Sequence, residues 1–215
     1  DVAQPHVLTR AARAMQAEPH LRQVSFESVM ALVQTVEAKD PYTRKHSEHV
    51  THYALELAQY MNVSTRECET LRAAALLHDC GKIGIPDHIL IKPGALTDEE
   101  FDFIRRHPVI GDEILSKISA FAIEARLVRA HHENWDATGY PDGLAGEEIP
   151  YLARIIKVAD AIDAMLMRRT YKEPYPVSKV LSELQRCAGT QFDPQIAAAA
   201  LCWCQEHGQD VIQAT

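Results

Sequence analysis

Residues 78–82 read His-Asp-Cys-Gly-Lys, placing an imidazole beside a carboxylate one turn ahead of a lysine. A lone His-Asp pair is an ordinary hydrogen-bonded helix end. Here it is joined by His46 upstream and by His107, the doublet His131-His132 and Asp160 downstream. Imidazole and carboxylate together suit first-row metals such as manganese, iron, nickel and zinc. The collection is what a two-metal hydrolase requires. Successive helical residues point about 100° apart, so His131 and His132 reach one site only where a helix ends at a broad, two-ion cluster. Two ions about 3.5–4 Å apart share a bridging hydroxide that attacks phosphorus in line. Asp79 is the natural bridging carboxylate, and Lys82 can hold a phosphate oxygen or stabilise the leaving alkoxide.

Asp160 lies in a run of Leu, Ile, Val and Ala, where a carboxylate is costly unless paired or metal-bound. The alternative is a buried Asp hydrogen-bonded to a neighbouring helix. Of eleven histidines, five are candidate ligands. His6, His20, His88 and His207 read as surface residues, and His49 and His52 share a helix with His46, which leaves the choice on that helix open.

The elements that must position these groups are helical. Phe26, Val29, Leu32, Val33 and Val36 recur at helical spacing up to Asp40-Pro41, where the residue before proline avoids the helical region. A second helix from Thr43 carries His46, Val50, Tyr53, Leu57 and Tyr60. Ser64 to Glu67 and Thr97 to Glu100 have capping-box form. The first box opens a helix running through Leu77 into His78-Asp79, and the second a short helix ending before Pro108, which can begin the next. Ala122 to His132 is amphipathic. Residues 133–150 are a Gly- and Pro-dense loop, and Tyr151 to Met167 is apolar almost all round, hence the central buried helix. Pro176 to Cys187 and Asp193-Pro194 to Glu206 complete the set, and no alternating strand pattern of useful length occurs.

A chain of 215 residues supports one substantial core. A net charge of -8 argues against nucleic acid as a non-specific partner. Any anionic ligand must be drawn locally, by metal ions and a few basic side chains. Five cysteines without framework spacing read as buried free thiols in a reducing cytoplasm, including Cys202 and Cys204, which have no second half of a metal site. No signal peptide or bilayer-length apolar run is seen.

The stretches His78-Asp79-Cys80-Gly81-Lys82-Ile83-Gly84-Ile85-Pro86-Asp87, Leu90 to Gly94, and His131 to Asp136 with Gly139-Tyr140-Pro141 resemble the HD-GYP family. The resemblance continues through Gly146 to Pro150, Ala153 to Ile155, Asp160 to Ala164 and Phe192 to Pro194, covering about residues 26–200 in order. It implies an all-α, HD-superfamily helical bundle enclosing a two-metal site. The implied catalytic domain spans 26–210, with residues 1–25 a linker or docking segment from an upstream sensory or receiver domain. The activity implied is hydrolysis of cyclic di-GMP to linear pGpG, with slower conversion to GMP, in bacterial second-messenger signalling. Carried over residue by residue, the metal ligands are His46, His78, Asp79, His107, His131, His132 and Asp160. They would hold two divalent transition-metal ions, iron or manganese first, nickel or zinc as alternatives.

The family's phosphate-contacting lysine matches Lys82, and Arg169 and Lys172 match its dinucleotide-gripping Arg-Pro-Tyr-Lys segment. Tyr140 sits in the namesake loop, which in the family covers the active site or meets partners, among them GGDEF diguanylate cyclase domains. A homodimer is also compatible with the resemblance. Some members bind a third metal through a Glu four residues before the first ligand histidine. That position is Tyr42 here, so two metals are expected. Ala137 replaces a usual glycine, Thr170 a proline, and Leu166-Met167 a Thr-Ser pair, making the substrate-side wall more apolar. Two rival readings remain. One is an HD phosphohydrolase acting on another cyclic dinucleotide or a nucleotide; the other is a cyclic di-GMP sensor or adaptor without turnover.

Overall fold

The computed structural model describes residues 45–166 and 174–213, with side chains through 207, and residues 23, 24, 26–31, 33 and 34. Tyr42, Met167, Arg169, Thr170 and Lys172, the predicted helix end at Asp40-Pro41 and nearly all of segment 1–25 lie outside the described residues.

Among the described residues, nine α-helices follow residue 45: α1 (His46–Tyr60), α2 (Thr65–Leu77), α3 (Asp87–Leu90), α4 (Asp98–Ile104), α5 (His107–Leu115), α6 (Ala122–Ala130), α7 (Tyr151–Leu166), α8 (Val177–Cys187) and α9 (Pro194–Gln213). A 3₁₀ turn, Cys80–Gly84, separates α2 from α3. The described residues form no strand, only isolated bridges between Asp136 and Ala145 and between Ala188 and Phe192. The bundle is all-α.

Local chemistry sets the helix ends. The Ser64 hydroxyl accepts from the Glu67 amide while the Glu67 carboxylate accepts from the Ser64 amide, and Thr97 with Glu100 repeats the box at α4. The Asp193 carboxylate accepts from the Gln195 amide at 2.8 Å and opens α9, with Pro194 in the first turn. That helix runs on past Glu206, the end expected from the sequence. α2 stops at Leu77 and α6 at Ala130, so His78, Asp79, His131 and His132 stand just past helix ends.

α7 is the central helix, packed on α1, α2, α6, α8 and α9 around Leu57, Leu71, Ile155, Ile162, Leu184 and Ile196, all fully buried. Leu166 belongs to this core rather than to a substrate-side wall, because its position on α7 faces the packed helices. A second, smaller cluster joins Val29 and Val33 to Leu77, Cys80, Leu115, Phe121, Ala125 and Val128, with the Phe26 and Phe121 rings 6.3 Å apart. Among the cysteines, all free, Cys80, Cys187 and Cys204 are buried, Cys68 is half-buried and Cys202 is exposed. Cys202 departs from expectation because it falls on the outer face of α9. Among the described residues, no helix is long and apolar enough to cross a membrane.

Candidate metal centre

Five elements converge on one polar spot in this apolar bundle. His46 opens α1, and His78 and Asp79 follow α2. His107 opens α5, His131 and His132 follow α6, and Asp160 lies mid-way along α7. Gly81 lets the 3₁₀ turn press against α5: a Cβ there would stand 1.9 Å from the His107 carbonyl oxygen. The glycine of the His-Asp-Cys-Gly-Lys run therefore sets the approach of His107 to Asp79.

The rings are oriented alike. The Nδ1 atoms of His78, His107 and His131 lie 2.7, 2.7 and 2.5 Å from the carbonyl oxygens of Ala75, Ile104 and Val128, each three residues earlier. His46 Nδ1 lies 2.6 Å from Asp163 Oδ2. An N–H donated at Nδ1 leaves each Nε2 as a lone-pair donor, the arrangement typical of metal-bound imidazole. These Nε2 atoms point inward. Two groups can each hold a metal ion: His46, His78 and Asp79, and His107, His131 and His132. Within them, the Nε2 atoms of His46 and His78, and those of His107 and His131, are 3.3 Å apart. Metal–nitrogen bonds of about 2.0–2.1 Å put neighbouring ligands about 3 Å apart, so the spacing fits a bound cation.

Asp79 stands between the two groups. Its Oδ1 is 3.4 Å from His107 Nε2, and its Oδ2 is 3.4 Å from His78 Nε2 and 3.6 Å from His46 Nε2. Lys82 donates to Oδ2 at 2.6 Å, and Asp160 Oδ1 lies 3.4 Å from His46 Nε2. The seven predicted ligands and Lys82 are thus brought together. Tyr140 joins them indirectly, its ring stacked on His132 with centroids 4.9 Å apart.

Electrostatics divide the histidines. Burial opposes charge on His78, but Asp79 and then Asp160 outweigh it and lift the imidazole to about 9. Burial alone would raise Asp79, yet Lys82 and His78 hold it well below the usual carboxylate range. Burial pushes His107 down to about 4, and burial with neighbouring imidazoles pushes His131 and His132 well below their ordinary value. These three stay neutral and available as donors.

Three supporting residues escaped assignment from the sequence. Asp163, one turn beyond Asp160, orients His46. Its signal was a second carboxylate in an apolar helix. Glu133, buried next to the doublet, accepts from the amides of Asp142, Gly143 and Leu144 at 2.6, 3.1 and 3.1 Å, and so holds the loop bearing Tyr140. Lys157, buried in α7, donates to the His132 carbonyl at 3.1 Å, and burial lowers it to about 8. A lysine in an otherwise apolar central helix was the available clue.

The HD domain profile matches residues 30–196. The chain belongs to the HD family. Its relatives and its motifs place it among the HD-GYP proteins. It is 40% identical over 178 residues to a cyclic di-GMP phosphodiesterase of Thermotoga maritima, covering 82% of this chain and 48% of that protein. It is 42% identical over 171 residues to the 3′3′-cGAMP-specific phosphodiesterase 3 of Vibrio cholerae, covering 80% and 37%. An HDG"Y"P protein from Bdellovibrio bacteriovorus shares the fold with a TM-score of 0.64 at 19% identity, over 88% of this chain and 64% of that one. This HD-GYP chain spans about half the length of the curated relatives it matches. Family and clusters together point to divalent metal binding.

Proposed function

We propose that this chain is a metal-dependent phosphodiesterase domain that opens cyclic di-GMP to the linear dinucleotide pGpG. The observation that carries the reading is one carboxylate, Asp79, with an oxygen turned toward each of two histidine groups. In this reading His46, His78, Asp79 and Asp160 hold one divalent ion and His107, His131, His132 and Asp79 the second, with iron or manganese the first choice among metals. When bound, such a pair supplies Lewis acidity toward a phosphoryl oxygen and a water activated at neutral pH.

The chain's own groups do the rest. Asp163, with the carbonyls of Ala75, Ile104 and Val128, fixes the ring orientations, so four imidazoles turn Nε2 inward; His78, lifted to about 9 in the metal-free site, would release its proton as a cation binds. Lys82 sits at the open side of Asp79 and is placed to take up negative charge growing on the phosphoryl group or the leaving 3′ oxygen. Glu133 keeps the Gly-Tyr-Pro loop over His132, where the Tyr140 ring screens that ligand from water. Arg169 and Lys172 belong to the proposal as dinucleotide contacts, and residues 26–210 as the catalytic domain behind a linker at 1–25.

A second reading keeps this chemistry on a mixed dinucleotide, and the Vibrio cholerae relative named for 3′3′-cGAMP favours it. Both are tested by loading the protein anaerobically with manganese or ferrous iron and following cyclic di-GMP and 3′3′-cGAMP by chromatography. The expected result is linear dinucleotide, faster from cyclic di-GMP, and none from a helical His78→Ala/Asp79→Ala double variant. Full activity in that variant would overturn the site assignment.

A further inference from the structure

Arg129 sits in the last turn of α6, two residues before His131, and its guanidinium reaches across to the loop that follows. Its Nε and one Nη donate to the two carboxylate oxygens of Asp142, each at 2.7 Å. The other Nη donates to Asp112 on α5 at 3.4 Å. One side chain thus joins three segments. They are the helix leading into His131 and His132, the helix that His107 opens, and the loop in which Asp142 follows Tyr140 by two residues.

An isolated surface ion pair contributes little. This one differs in geometry and in company. Its side chains are 34% and 36% exposed, so solvent and salt screen them only in part. The fork is bidentate, which fixes orientation as well as adding strength, and Asp112 makes the pair a network of three. The loop tip needs such a hold. The Tyr140 amide donates to the His132 carbonyl at 3.4 Å, beyond the usual range for a hydrogen bond. Glu133 fixes the amides of 142–144 from the buried side, whereas the Asp142 side chain is fixed by Arg129 at the rim. The Tyr140 ring, stacked on His132, is therefore carried between one long bond and the fastening at Asp142.

We propose that Arg129 is a positioning residue, whose fork on Asp142, steadied by Asp112, seats the Tyr140 ring on His132. Its bearing on turnover rests on the phosphodiesterase reading. Hydrogen–deuterium exchange of metal-free protein tests the seating, and kcat of the manganese-loaded enzyme for cyclic di-GMP tests its use. Arg129→Gln and Asp142→Asn should each raise exchange at the amides of 137–145 about fivefold and lower kcat about fivefold. The double variant should be no worse than either single one, because the two residues act through each other. Arg129→Lys, which keeps the charge without the fork, should lose only about twofold. In a Tyr140→Ala background, Arg129→Gln should cost kcat nothing further, which a general loosening of the fold would not give. Circular dichroism checks the fold, and if Arg129→Gln does not fold, Asp142→Asn carries the same comparisons. Unchanged exchange in the folded single variants, additive losses in the double variant, or a further loss on top of Tyr140→Ala would each overturn the assignment. Failure of the phosphodiesterase reading looks different: loaded wild type turns over no cyclic dinucleotide, while loop exchange in the metal-free variants still rises.

Discussion

At the scale of single residues, the site is a set of imidazoles whose charge has been decided in advance. His107, near 4 when folded against 6.5 unfolded, binds fewer protons in the native state between those values. His131 and His132 are shifted the same way. Stability of the metal-free protein must therefore fall as pH drops from 6.5 toward 4. His78 runs the other way. With a folded value of about 9, its contribution is complete below 6.5 and is lost as pH rises through 9. Thermal melts of chelator-treated protein should peak near pH 6.5 and decline on both sides, with His107 and His78 each contributing up to ~3 kcal/mol. A flat profile would show that the rings are hydrated rather than buried. These ligands were legible in the sequence because His and Asp are conspicuous against apolar helices. Asp163, Glu133 and Lys157 were not, because a residue type does not reveal which donor or acceptor the fold will bring to it.

At the scale of elements, both capping boxes lie where their spacing placed them, since a cap is settled within four residues. Helix ends at the site were less legible. α2 and α6 each stop short of their histidines because the rings turn back to carbonyls three residues earlier. The loop after α6 holds the next prediction. Ala137, standing where the family usually has glycine, sits at φ 67°, in the left-handed region that costs a side-chain-bearing residue about 1–2 kcal/mol. Part of that is offset by the greater freedom glycine gives the unfolded chain. Ala137→Gly should stabilise the protein by ~1 kcal/mol in urea unfolding. A loss of stability would mean that the Ala137 methyl makes contacts outweighing the backbone strain.

At the scale of the whole molecule, the all-α bundle was readable from helical periodicity alone. Which helices meet was not, because that depends on long-range packing around α7. The proposed ligands come from five separate elements, so ions bound there join parts of the chain remote in sequence. A metal at one hundred times its Kd adds about 2.7 kcal/mol per site. Manganese should raise the melting temperature of chelator-treated protein by several degrees, an effect absent in Asp79→Ala. Elemental analysis should give about two ions per chain, as a two-metal centre requires; three would overturn the inference from Tyr42. The smaller core cluster has a structural consequence. Val29 and Val33 share one buried cluster with Leu77, Cys80 and Val128, which are the neighbours of His78 and Asp79 and the carbonyl anchor of His131. The N-terminal helical residues therefore share the packing that backs three of the proposed ligands.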